Sequence, residues 1–373
     1  MAIRSRKCSV WIVLLIIVFM TVLPSRLVRS ADNPINSQQK YDKSKEKPFV
    51  RPGIASVFTA PENWPQNNEA VPSHRAPKGA KSFAIVLGSG TPGPNPYRMG
   101  PSFVVVSNGY PYFVDLGEGA WRSMAAASMV HGDWLARAFA LDNLKYVFLT
   151  HLHCDHTVGI PSWILNGYKF GSKASKEIYG PKGTDAMMKH IMSAWQIDRE
   201  DMWYGPLKAD KNGVMVIAHE VDDDGLVYQD QNVKVYAYRK YHGNIKDNFA
   251  YRFECANGRI FVFAGDGWSC PGLIKACKNA DVAFVEVFSK EKMFYAPWAG
   301  NDPAMIEYLT HSYHMWPEEL ALMQKQSGLK SLVLIHEQNY APGDTFSRLG
   351  LLKECKRAGV KEPVFSSVDG DVY

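Results

Sequence analysis

Apolar positions along the chain come in short runs bounded by Gly, Pro, Asn or Asp. Runs of this length, rich in Val, Ile, Phe and Tyr, are the pattern of buried strands. "FAIVLG", "SFVVVS" and "PYFVDLG" predict three strands between Phe83 and Gly117, and "LKYVFL" a fourth from Leu144 to Leu149. A second series follows: "GVMVIAHEV", "GLVYQD", "VKVYAYRKYH", "FAYRFEC", "RIFVFAGD", "DVAFVEVFS" and "KSLVLIH". Helices are predicted at "AWRSMAAASMV", after Gly183, at "CPGLIKACKNA", at "PEELALMQKQSG" and at "LGLLKECKRAG". Gly159 and Pro161 predict a break. Two strand-rich halves with helices between them predict an α/β (α+β) protein of two packed sheets covered by helices.

The N-terminus departs from this pattern. Arg4, Arg6 and Lys7 precede "VWIVLLIIVFMTVL" (Val10 to Leu23), and small residues follow. This is the layout of a secretory signal, with cleavage expected after Ser30. An uncleaved membrane anchor is the alternative, but the 14 apolar residues fall short of the roughly 20 a spanning helix needs. Residues 31–80 are rich in Asn, Gln, Lys and Pro without apolar periodicity, and read as a flexible spacer. The folded domain is expected over 81–373. The expected protein is thus secreted or periplasmic, with no stable membrane insertion after cleavage.

Signal removal changes the charge. The formal +5 of the chain includes five basic and no acidic residues in 1–30, so the mature chain is formally neutral. It has no overall basic footprint for a polyanion, and nucleic acid is an unlikely partner on that ground. Five cysteines remain: Cys154, Cys255, Cys270, Cys277 and Cys355. The odd number leaves at least one unpaired within the chain, and Cys154 is the candidate. No CxxC pair signals a separate zinc site.

The densest chemistry is "THLHCDHTVGIP", residues 150–161, directly after the predicted fourth strand. Side chains two apart on an extended chain point the same way, so His151 and His153 can face one point. Asp155 and His156 follow as the chain turns. Imidazole nitrogen and carboxylate oxygen are ligands that zinc accepts. His242, Asp266 and His336 each end another predicted strand, and strand ends gather on one edge of a sheet architecture. The seven residues divide into two sets. One is His151, His153 and His242; the other is Asp155, His156 and His336, with Asp266 able to bridge both.

"THLHCDH" resembles the HxHxDH signature of the metallo-β-lactamase superfamily. "LGSGTPGPNP", "YHGNIKDNFAYRFE", "FAGDGWSCPGLIKACKNADVAFVEVFS" and "YHMWPEELALMQKQSGLKSLVLIHE" are similar to blocks of its ribonuclease Z-like and arylsulfatase-like branch. "AHEVDDDGLVYQDQNVKV" resembles the secreted hydrolases grouped with the guanitoxin-biosynthesis enzyme. The likeness spans nearly all of 81–340. It implies an αββα sandwich with two zinc ions, or other divalent metals, at one edge. Asp155 would hold one metal and orient the attacking water. The branch's glutamate and histidine that serve the leaving group fall on Glu286 and His314, with His311 a nearby rival.

Two departures stand out: Val285 replaces a His before that glutamate, and Gly267 replaces a Thr after the bridging aspartate. The first is expected to weaken the proton relay and the second to loosen the metal surroundings. The loop "PGPNPYRMGPS" carries Arg98 alone, and a basic exosite arm for tRNA is missing. The resemblance thus implies a secreted dinuclear zinc hydrolase of small carboxylic, sulfate or phosphate esters. A ribonuclease Z-type phosphodiesterase is the alternative, and a non-catalytic metal-binding scaffold a third reading.

Overall fold

The computed structural model describes residues 79–93, 98–290, 303–338 and 348–373. The expected signal and almost all of the expected spacer lie outside them. The first sheet holds β1 (Ser82–Gly88), β2 (Ser102–Ser107), β3 (Tyr110–Leu116), β4 (Tyr146–Phe148), β5 (Lys176–Pro181) and β6 (Val216–Val221). The second holds β7 (Gly225–Gln229), β8 (Val233–Arg239), β9 (Phe249–Cys255), β10 (Ile260–Phe263), β11 (Val282–Phe288), β12 (Leu332–Gln338) and β13 (Val364–Ser366). Strands are ordered 1-2-3-4-5-6 in one sheet and 13-12-11-10-9-8-7 in the other.

The longer described helices are α1 (Ala120–His131), α2 (Asp133–Ala138), α3 (Cys154–Thr157), α4 (Ile160–Lys169), α5 (Thr184–Ala194) and α6 (Gln196–Tyr204) in the first half. In the second half they are α7 (Pro271–Ala276), α8 (Pro303–Tyr313), α9 (Pro317–Ser327) and α10 (Arg348–Arg357). Among the described residues no helix is long and apolar enough to cross a membrane.

Strand alternation builds three apolar layers. Ala84, Val105, Val114, Phe148, Phe253, Phe263 and Phe284 meet between the sheets. Ile85, Val104 and Val147 face the other way, onto Met124, Ile160 and Trp163 of the helices. Ala283, Val285 and Leu334 face Leu273, Leu320 and Met323. The result is the expected αββα order, with both faces of the central strands buried.

Strand direction then positions the site. β3, β4 and β5 pair in parallel, as do β10, β11 and β12. β8 and β10 are each antiparallel to β9, so they run the same way. The C-terminal ends of β4, β8, β10 and β12 therefore reach the rims where the His- and Asp-bearing turns begin.

Some expectations change. Gly159 and Pro161 do not break the chain: α4 starts there, with proline in its first turn, where its missing N–H costs nothing. The fourth strand is three residues long rather than six. β5, β13, α2, α6 and α8 carried no clear periodic signal. All five described cysteines are free; Cys154 is exposed and the other four are buried.

Candidate metal centre

Asp115, near the end of β3, organises the rim. Its carboxylate accepts hydrogen bonds from the Thr150 N–H and the Thr150 hydroxyl, each at 2.8 Å. That hydroxyl proton is committed, so at 3.0 Å from Thr150 Oγ1 the His151 Nδ1 must be the donor. His156 Nδ1 likewise lies 2.8 Å from Asp115 Oδ2. His242 Nδ1 donates to the Tyr313 carbonyl at 2.7 Å. In each ring the outer contact engages Nδ1 and turns Nε2 toward the interior, as outer partners of metal-binding histidines do.

The interior atoms converge. Ligand atoms of His151, His153, His242 and Asp266 lie within 4.8 Å of one another, and so do those of Asp155, His156, Asp266 and His336. Asp266 belongs to both groups. His242 Nε2 faces His153 Nδ1 at 3.1 Å, and His336 Nε2 faces Asp155 Oδ2 at 3.1 Å. The buried Nε2 atoms of His151 and His156 have no hydrogen-bond partner. Unpartnered imidazole nitrogens aimed at one another and at carboxylates fit a divalent cation of the zinc type.

The electrostatics divide the groups. Burial, with the nearby His156, holds His151 well below its ordinary value; burial also lowers His153, and lowers His242 to about 3. These are neutral lone-pair donors. Burial works against the charge on His156 and His336 as well. There Asp266, with Asp115 and Asp155 for His156 and with Asp155 for His336, outweighs it. His156 rises well above its ordinary value and His336 to about 9. Burial resists ionisation of Asp266, yet His336 and His156 keep its carboxyl well below the usual range.

Glu286 and His314 stand beside this cluster. His314 Nδ1 is 2.6 Å from Glu286 Oε2, and both residues group with Asp266 and His336. Burial, then Asp266, raises Glu286 well above the carboxylate range, and burial lowers His314 to about 3. Both shifts favour the neutral forms of the two groups. His311 belongs to none of these groups and lies 3.6 Å from Glu319 instead.

The two departures change meaning in three dimensions. Val285 points into the helix-facing core with Ala283 and Val287, opposite to Glu286. A histidine at 285 would not reach the Glu286–His314 contact, so its absence does not weaken the relay. Gly267 has φ +114°, and a Cβ there would sit 1.9 Å from the Tyr241 carbonyl oxygen. Its N–H donates to Glu286 Oε1. Glycine is required by this turn, which is tied down rather than loosened.

Sequence reading passed over Asp115, Thr150, Asn248 and Lys240. Asp115 lies near the end of an apolar strand as the expected ligands do, and that rule could have found it. Lys240 gave no such signal, because alternation aligns it with the exposed Lys234.

Sheets stacked between helices, with imidazoles and carboxylates clustered at one rim, form the architecture of a metallohydrolase. A family model for the beta-lactamase superfamily domain matches residues 125–336. Ribonuclease Z of Mycobacterium marinum (strain ATCC BAA-535 / M) is 28% identical over 256 residues, covering 67% of this chain and 84% of that protein. Human tRNase Z, short form, is similar in structure, with TM-score 0.56, 21% identity, and coverage of 78% of this chain and 98% of that one. The metallo-beta-lactamase fold protein YhfI from Bacillus subtilis matches with TM-score 0.56 and 18% identity, over 78% of this chain and 98% of that one. The chain belongs to the beta-lactamase superfamily, with relatives of the ribonuclease Z kind. It is a metal-dependent hydrolase of ester bonds.

Proposed function

We propose that the chain is a dinuclear zinc hydrolase of small esters that works outside the cytoplasm. The carrying observation is that Asp266 is shared by two separate ligand groups, which together use His151, His153, His242, Asp155, His156 and His336. Two divalent ions held there would supply Lewis acidity and a water nucleophile at neutral pH. Asp155 orients that water as well as serving as a ligand. His314, carrying its proton on Nε2, delivers it to the leaving oxygen. Nδ1 takes up the Glu286 proton in the same step, which leaves a carboxylate and a neutral imidazole.

One observation supports a small substrate. A cavity of about 430 Å³ beside the cluster is lined by Met99, Glu118, Cys154, Asp155 and Val158 among others. That volume suits a small molecule. Arg98, the basic residue of the loop after β1, is buried and committed to Glu337 at 2.9 Å and to the Ser367 carbonyl at 2.7 Å. It also lines that cavity. The extracytoplasmic location rests on the sequence of residues 4–30, and the arylsulfatase-like and guanitoxin-type affinity on the blocks quoted above.

The relatives favour a second reading. Proteins named ribonuclease Z match over most of their length, which weighs against the expectation that nucleic acid is an unlikely partner. RNA phosphodiester cleavage is therefore the alternative function. The zinc-loaded chain is to be assayed on aryl carboxylic esters, sulfates and phosphodiesters, and in parallel on a precursor tRNA. Turnover within the ester panel and none on the RNA is expected. Efficient 3′ processing of the RNA at physiological salt, lost in His153→Ala, would replace the first reading by the second.

A further inference from the structure

We infer that Lys240 is a positioning residue for Asp266: with Asn248, it grips the three successive carbonyls of the Gly265–Asp266–Gly267 turn and so sets where the shared carboxylate points. Lys240 is fully buried. Its Nζ donates to the Gly265 carbonyl at 3.1 Å and to the Gly267 carbonyl at 3.3 Å. Asn248, also fully buried, donates through Nδ2 to the intervening Asp266 carbonyl at 2.7 Å. The two grips are tied to each other, since the Lys240 N–H donates to the Asn248 carbonyl at 2.9 Å. The fourth hold is the Gly267 N–H on Glu286.

The turn needs this external hold. Gly265 has φ +59° and Gly267 φ +114°, so Asp266 sits between two residues in the left-handed region. Glycine there is permissive and does not fix the direction of its neighbours. Both described partners of the Lys240 ammonium are main-chain carbonyls of this turn. Burying an ammonium is costly, and an apolar residue would fill the same space more cheaply. What an apolar residue cannot do is bind the carbonyls on either side of a carboxylate that both ligand groups use. Removing outer partners of this kind typically costs about 10–100-fold in metal affinity.

The inference rests on the two-metal reading, and the experiment separates the two. Zinc affinity of the purified chain is measured by competition with a chromophoric chelator, alongside the rise in Tm on adding zinc. Wild type should bind two zinc ions per chain; fewer would sink the two-metal reading itself. Lys240→Met should then bind zinc about 10–100-fold more weakly. Its zinc-induced rise in Tm should shrink accordingly, because the stabilisation follows affinity. Lys240→Gln, which keeps an amide donor, should recover part of the loss. A merely structural lysine would lower the metal-free and zinc-loaded Tm together and leave affinity unchanged, and that result would overturn the proposal. Should Lys240→Met not fold, Asn248→Ala carries the test: weaker zinc binding supports the clamp, and wild-type affinity overturns it.

Discussion

Asp115 lies at φ 53°, a strained value for a residue with a side chain, and from there reaches Thr150 and His156 at once. Strain of this kind persists where the surroundings over-determine it. Asp115→Asn keeps the size but removes an acceptor oxygen, so the His151 and His156 rings lose their fixed Nδ1 contacts. Zinc affinity should fall about 10–100-fold, measured by chelator competition, while overall fold by circular dichroism stays the same. His314 makes a different prediction. His314→Ala should lower turnover by roughly 10²–10⁴-fold on poor leaving groups. The loss should shrink for nitrophenolate, which needs no proton, and zinc content should not change. An equal loss on good and poor leaving groups would assign His314 to positioning. The residues of the two groups were legible as candidates because metal-seeking side chains followed apolar runs. Lys240 was not, because its contacts are to carbonyls distant in sequence, and no residue-type pattern announces a carbonyl.

Elements explain what residues alone misjudge. Position 285 is read in sequence as the neighbour of Glu286, and it does adjoin it, yet a strand sends the two to opposite layers. Val285→His should therefore add nothing to turnover. It should instead destabilise by about 1–3 kcal/mol, the cost of a buried polar group without a partner, seen as a lower Tm. A gain in turnover would show that the two layers communicate. Long strands such as β11 and β12 were plain in the sequence, since both faces are buried and their residues are apolar apart from Glu286 and the C-terminal end of β12. α4 was hidden, because Gly159 and Pro161 are read as a stop when they mark a start; only the proline's place in the first turn distinguishes the two. α6 carries exposed Ile197 and Tyr204, which blurs its pattern.

At the scale of the molecule, two sheets bring together residues from 151 to 336 at one place, and Asp266 is where the groups meet. The layered class was readable from the alternation of runs, and the αββα order from the HxHxDH resemblance. The sheet order and the shared carboxylate became visible only in three dimensions. The ions would join both halves of the fold, so chelation should lower Tm, and zinc should restore it in a concentration-dependent way. The central claim is the pair of metals, and elemental analysis of the zinc-loaded, desalted chain tests it most directly. About two zinc ions per chain are expected, reduced in Asp266→Ala, which removes the carboxylate that both groups share. One zinc per chain, unchanged in Asp155→Ala and in His336→Ala, would contradict it.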